Sequence, residues 1–187
     1  INKHPVDKPV WLGKLTLLGD DQADKKVHGG PDQAGYCYPL KHYAHWQKNF
    51  ALGDLPYGTF GENFTVTDLD EDSVHIGDVL QIGEATVQVT KPRIPCFKLA
   101  HKLGNTQIIK AFLQSGFSGF YLRVLTEGYV KSDDAITIVS RDPQVISVRQ
   151  ALILQKLDVK LLDGSPITLL RKALAIQGLT TELHESY

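Results

Sequence analysis

The 187-residue chain contains no methionine and begins at Ile1. We therefore expect that its natural start is missing and that small gaps hide within the spacings between motifs. Its two cysteines, Cys37 and Cys96, are too few for a disulfide framework. Neither sits in a Cys-x-x-Cys zinc pattern, and a reducing cytoplasm is the expected location. No apolar run approaches the roughly 18 residues of a membrane helix, and no secretory signal is visible. An excess of charge of one sign is also lacking: 20 Lys and Arg stand against 21 Asp and Glu, a net charge of −1. That balance argues against a nucleic-acid polymer as partner, because phosphate neutralisation needs a basic face. There is no Gly-x-Ser-x-Gly elbow, no dinucleotide-binding glycine fingerprint and no phosphate-loop motif. His42 and His45 are three apart on a helical pattern, but no third ligand lies nearby in sequence, so a zinc hydrolase has little support.

What is present is an ordinary globular composition, 42% hydrophobic and 22% charged. The clearest local pattern is Val79–Thr90. Leu80 and Ile82 share one face, and Ala85, Val87 and Val89 resume the alternation after a hairpin turn at Gly83-Glu84. Further strands are expected over 63–67, 120–125 and 135–140. A helix over 40–50 buries Tyr43, Trp46 and Phe50. A second runs from a cap at Asn105 to Ser115 and stops at Gly116, with Ile108, Ile109, Phe112 and Leu113 inward. The expected fold is mainly β (α+β), a closed or nearly closed barrel with short helices over 1–142. A small three-helix domain, truncated by the chain end, follows over 143–187. Its helices are a pattern over 148–156, one starting at Ser165-Pro166 and ending at Gly178, and one capped by Thr180 or Thr181.

Four places gather chemistry. Cys96 lies in Lys91-Pro92-Arg93-Ile94-Pro95-Cys96-Phe97-Lys98, directly after a strand. Two prolines stiffen the approach, and three cations lie within five residues, the setting of a reactive thiolate rather than a core thiol. Arg93 offers a planar fork suited to phosphate. Cys37, between Tyr36 and Tyr38 at strand spacing, reads as core. Lys25-Lys26-Val27-His28-Gly29-Gly30 offers charge and a glycine turn whose N–H groups can face an anion, or it is a plain surface turn. Gly61-Glu62-Asn63 offers an acid for proton relay and an amide for a ring edge, or it is a glycine-rich corner. Arg123, in the turn-to-strand run from Gly116, faces either a site or solvent.

Taken in order, Gly19-Asp20 through Gln22-Ala23-Asp24, His28-Gly29-Gly30-x-Asp32, Tyr38-Pro39 with His42-Tyr43-x-x-Trp46, Phe60-Gly61-Glu62-Asn63, Gly77-Asp78 and Pro92-Arg93-x-Pro95-Cys96-x-Lys98-Leu99 resemble the MOSC domain. That domain is named for the C-terminal part of molybdenum cofactor sulfurases. The YiiM-like branch, similar to the mitochondrial amidoxime-reducing component, fits best. The resemblance spans nearly the whole chain; a Gly-Lys segment carried by the family's first strand has no counterpart here.

The resemblance implies a molybdenum–pterin cofactor with Cys96 as metal ligand and catalytic residue. It implies an oxidoreductase that reduces N-hydroxylated compounds such as N-hydroxylated purine bases. His28 and Glu62 then deliver protons. Lys26, His28, Gly29, Gly30, Asn63, Arg93 and Lys98 are the expected cofactor-binding residues. Soft thiolate suits molybdenum, and the arginine, lysine and glycine turn suit an anionic pterin phosphate. The chain carries no flavin, haem or iron–sulfur motif, so a separate electron-donor reductase is the expected partner, and a homodimer stays open. Pyridoxal phosphate, also associated with the family, is set aside because no lysine is singled out for a Schiff base. Two alternatives remain: a Cys96 persulfide that carries sulfur to another metal–sulfur centre, and a non-catalytic binding module.

Overall fold

The computed structural model describes residues 1–20 and 29–155. The described elements are β1 (Val10–Leu12), β2 (Gly35–Pro39), α1 (Lys41–Phe50), β3 (Phe64–Val66), β4 (Val79–Ile82), β5 (Ala85–Pro92), α2 (Phe97–Leu103), α3 (Gln107–Ser115), β6 (Phe120–Thr126), β7 (Gly128–Val130), β8 (Ile136–Ser140) and α4 (Val148–Gln155). Six strands form one curled sheet in the order β3-β2-β6-β5-β4-β8, and β1 with β7 makes a separate antiparallel ribbon. The β2–β3 pair is parallel; the other neighbours in the large sheet are antiparallel. Register shifts at Val79/Leu80, Thr86/Val87 and Val89/Pro92 bend the central strands, which is how bulges curl a sheet. The result is a half-barrel: no ladder joins its edge strands β3 and β8 among the described residues.

The hairpin at Gly83-Glu84 is where the alternation placed it, with Ile82 opposite Ala85. The inner face buries Leu80, Ile82, Ala85, Val87 and Val89 together with Phe120, Leu122, Val124 and Cys37. Helix α4 closes this core with Val148, Ala151 and Leu154. The first helix of the expected C-terminal appendage is thus part of the barrel's packing. The helices expected after Ser165 and Thr180 lie outside the described residues.

The outer face of β2 carries a second, aromatic core. Tyr36, Tyr38, Tyr43, Trp46, Phe60, Leu99, Ile108 and Phe112 pack there beneath α1, α2 and α3. Tyr38 stacks on Phe60 at 4.5 Å, and the Trp46 indole N–H donates to the Tyr38 hydroxyl at 2.6 Å. The polar tips of these large rings are therefore satisfied inside, as burial requires. Helix α3 ends at Gly116 in the left-handed region, and Asn105 Oδ1 accepts the Gln107 N–H at 2.9 Å. Helix α2 was not legible in the sequence, and it carries the site. Among the described residues no helix is long and apolar enough to cross a membrane.

Candidate active site

Strand β5 stops at Pro92, which has no N–H to extend the ladder. Pro92 makes the last pair, with Phe120 of β6. Pro95 then holds Ile94 extended and keeps it out of the helix. Helix α2 starts at once, with Cys96 as its N-cap in extended geometry, φ −110° and ψ 169°. Cys96 is half-buried and unbonded to other sulfur. Cys37 is fully buried, and that burial pushes its thiol well above the usual range. Of the two, only Cys96 can meet a ligand from solvent.

Arg93 turns inward. It is 7% exposed, its Nη1 donates to the Phe60 carbonyl and, at 3.3 Å, to the Tyr36 hydroxyl, and its guanidinium lies 4.7 Å from the centre of the Tyr36 ring. Burial opposes the charge, but Tyr36, Tyr121 and Cys96 more than offset this and hold its pKa above the ordinary guanidinium value. Of the three cations near Cys96 in sequence, Arg93 counts Cys96 among the neighbours that favour its charge. Lys91 is buried and Lys98 half-buried on α2.

The segment 58–63 forms the neighbouring wall. Glu62 is 3% exposed. Its Oε1 accepts from the Tyr43 hydroxyl, from Gly58 N–H at 3.1 Å and from Thr65 Oγ1 at 3.0 Å. Its Oε2 is buried with no hydrogen-bond partner. Lys102, further along α2, donates to the Gly58 carbonyl at 3.0 Å. Burial lowers the Lys102 pKa, Glu62 opposes this and Arg93 adds to it. Asn63 is used internally: Oδ1 accepts the Tyr36 N–H at 3.1 Å and Nδ2 donates to Asp20 at 2.8 Å. It fixes the wall against β2, so any cofactor contact must share groups already bonded.

Lys26 and His28 lie outside the described residues. Gly29 and Gly30 are half-buried, and Gly30, at φ +102°, leads into a short 3₁₀ turn over Pro31–Gln33. That turn rests on β6 through Asp32, which accepts from Arg123 Nε at 2.6 Å, while its carbonyl accepts from Thr90 Oγ1 at 2.7 Å. Arg123 therefore anchors the glycine turn instead of facing open solvent.

Sequence reasoning missed Tyr36, Tyr121, Lys102 and Glu71. Tyr121 faces Tyr36 across the β2–β6 ladder, with ring centres 5.3 Å apart. The alternation Phe120, Leu122, Val124 against Tyr121, Arg123 marks it as lying on the outer face, a signal present in the sequence. Burial raises its pKa, Arg93 opposes and Cys96 adds to the rise.

The loop Asp70–Ser73 supports this side of the sheet. Asp70 Oδ1 accepts the backbone N–H groups of Asp72 and Ser73, and Oδ2 pairs with Lys41. Burial alone would raise its pKa, but the Lys41 and Ser73 hydrogen bonds prevail and hold it below the ordinary carboxyl value. A depressed folded-state pKa contributes stability above the unfolded value of about 4, which is lost as pH falls through the folded one. We expect the urea midpoint to fall on acidification below about pH 4, and Asp70→Asn to flatten that fall. An unchanged slope in the variant would remove Asp70 from the acid response.

Gly119 lies at φ +64°, where a Cβ would meet the Cys37 carbonyl and the Tyr36 ring. Gly119→Ala should cost about 2–4 kcal/mol from strain plus overpacking and displace Tyr36 from Arg93. Chemical denaturation with tyrosine fluorescence checks both.

The curled half-barrel, with a half-exposed cysteine at the start of a helix and a buried arginine three residues before it, is a MOSC architecture. The chain belongs to the MOSC domain family, which matches residues 24–137, and it is a YiiM-like member. It is 44% identical over 151 residues to YflK of Bacillus subtilis, covering 81% of this chain and 68% of YflK. It is 33% identical over 144 residues to a protein of Gibberella moniliformis named as a reductase, covering 75% of this chain but 26% of that protein. The crystal structure of YiiM from Geobacillus stearothermophilus superposes with a TM-score of 0.82 at 31% identity, covering 97% of this chain and 83% of that one.

Proposed function

We propose that this chain is a molybdenum-cofactor-dependent reductase of N-hydroxylated compounds, N-hydroxylated purine bases among them, with Cys96 as the metal ligand. The observation that carries the reading is Cys96 itself, a solvent-reachable soft donor at the start of α2 with the buried Arg93 charge beside it. The reductase-named relative supports the reaction class.

The residues fit such a group. Among the described residues no cluster of three His, Cys, Asp or Glu side chains could hold an ion alone. A metal at Cys96 must bring its other ligands with it, as a metal chelated by a pterin dithiolene does. When bound, that group supplies a two-electron reduction. Cys96 would hold the metal, and Gly29 and Gly30, on the turn anchored by Asp32 and Arg123, would admit the pterin tail. Arg93 balances negative charge at the sulfur from inside the protein. Glu62 keeps one carboxylate oxygen unbonded and is suited to hold a proton there. Reduction of R–NH–OH to R–NH2 and water takes two electrons and two protons; the electrons come from a separate reductase.

The test is molybdenum and pterin analysis of protein made in a host that synthesises the cofactor, followed by assay on an N-hydroxylated adenine with reduced viologen. Bound molybdenum with adenine release supports the reading. Failure to bind molybdenum, or no turnover by loaded protein, overturns it. A persulfide carrier would instead show a gain of about 32 mass units, one sulfur atom, on the Cys96 peptide.

A further inference from the structure

The reduction needs electrons from outside the chain, so a face beside Cys96 must admit their donor. The helices that cover the aromatic core stand out for their charge. Helices α1, α2 and α3 hold five lysines and not one carboxylate. From Ala85 to Thr126 there is no Asp or Glu at all, although the whole chain has a net charge of −1. The excess acid therefore lies on other segments. Lys41 is paired with Asp70, and Lys102 donates to backbone carbonyls. Lys48 and Lys110 are exposed and Lys98 half-buried, with no carboxylate partner among the described residues. The same layer exposes apolar surface where α2 begins. Phe97, the residue after Cys96, is 75% exposed, and Ile94 is 42% exposed. Phe97 and the exposed His101 lie about one turn apart on one face of α2. A helical side chain covers the surface on the N-terminal side of its own Cα, which for Phe97 is the side of Cys96.

We propose that the solvent face of α2 and α3 docks an acidic one-electron carrier protein, with Phe97 and Ile94 at the centre of the contact and Lys98, His101 and Lys110 around it. The inference rests on the reductase reading above and adds the donor's docking face to it. Apolar anchors, an aromatic one among them, within a polar rim are the usual anatomy of a protein interface. Lysines with no carboxylate among them attract a negatively charged carrier and repel a basic one. Electron-transfer encounters are small, under about 1,200 Å² in total, and charge raises the rate at which the partners meet. Phe97 follows Cys96 directly in the chain, so a carrier seated there stands next to the metal ligand. Two encounters, each oxidising one carrier by one electron, supply the two electrons that turn R–NH–OH and two protons into R–NH2 and water.

The test compares two electron donors on molybdenum-loaded protein acting on an N-hydroxylated adenine. Reduced viologen is a small molecule that needs no docking face; reduced flavodoxin is a small acidic flavoprotein. His101→Glu combined with Lys110→Glu puts negative charge at two exposed positions. At low ionic strength the flavodoxin-driven rate should fall about tenfold or more, with the viologen-driven rate within about twofold of the parent. Raising the salt from about 0.01 to about 0.3 M should slow the parent with flavodoxin and leave the variant nearly unchanged. Phe97→Ala should also lose flavodoxin-driven turnover selectively; an equal loss with both donors would make Phe97 a substrate contact and overturn its docking role. Carbodiimide coupling, which joins lysine amines to carboxylates, reads docking without turnover. Cross-links to flavodoxin should fall on Lys98 and Lys110, not on the exposed Lys8 or Lys131. A parent inactive with viologen overturns the reductase reading and this proposal together. A parent active with viologen but not with flavodoxin, or a flavodoxin-driven rate unmoved by the charge reversal, overturns this proposal alone. So do cross-links at Lys8 or Lys131, coupling of the same lysines to a second copy of the chain, or tighter binding of a single-stranded oligonucleotide than of flavodoxin.

Discussion

Cys96→Ser is expected to abolish molybdenum retention and turnover while leaving the fold intact. Cys96 is an N-cap in extended geometry whose side chain makes no capping hydrogen bond. Serine is among the preferred residues at that position, so folding stability should stay level or rise slightly. What changes is the donor atom. A hydroxyl is harder, far less acidic and a poor ligand for a metal that prefers thiolate. Losing even a supporting hydrogen bond to a metal ligand commonly costs about 10–100-fold in affinity or activity, so loss of the ligand itself should exceed about 100-fold. Metal analysis and the viologen assay on parent and variant, with thermal unfolding as the fold control, decide it. Equal molybdenum in the two proteins would remove Cys96 as ligand.

The largest effect on stability is expected at Glu71. Its side chain is fully buried. One carboxylate oxygen meets His42 Nε2 at 2.8 Å, the other accepts the Gly119 N–H at 2.6 Å, and its backbone carbonyl accepts the Arg149 N–H at 2.9 Å. One residue thus joins α1, the start of β6 and α4. His42 is held on its other side by a stack on Phe117 at 3.9 Å and cannot swing out to water. Glu71→Ala leaves the imidazole and a backbone N–H unpaired in the interior, which should cost about 3–5 kcal/mol. Against a typical domain stability of about 5–15 kcal/mol this is severe. Glu71→Gln can still accept from Gly119 and bond His42, so it should cost clearly less. Urea unfolding at neutral pH measures both. A Glu71→Ala cost below about 1 kcal/mol would mean the pair is not holding these elements together.

The parts of the fold legible in the sequence are those whose signal is local. The alternation of Leu80, Ile82, Ala85, Val87 and Val89 dictates a hairpin because one face must be buried at period two. Tyr43 and Trp46 declare the buried face of α1, and Gly116 the end of α3, for equally short-range reasons. Helix α2 was hidden because Pro92 and Pro95 precede it and read as loop, although a proline just before an N-cap is compatible with a helix start. Its seven residues are too few for periodicity to show.

The site divides the same way. Cys96 and Arg93 stand out in the sequence because an unusual local composition surrounds them, and the family resemblance rests on short ordered motifs. The chain by itself therefore determined the hairpin, the cores of α1 and α3, the unusual surroundings of Cys96 and the MOSC family. Only the tertiary structure decided that Arg93 serves the interior, that Asn63 braces β2 and that Arg123 anchors the glycine turn through Asp32. Those pairings join residues 27 to 91 positions apart. Such long-range partners are set by strand order and register, which a single sequence does not encode locally.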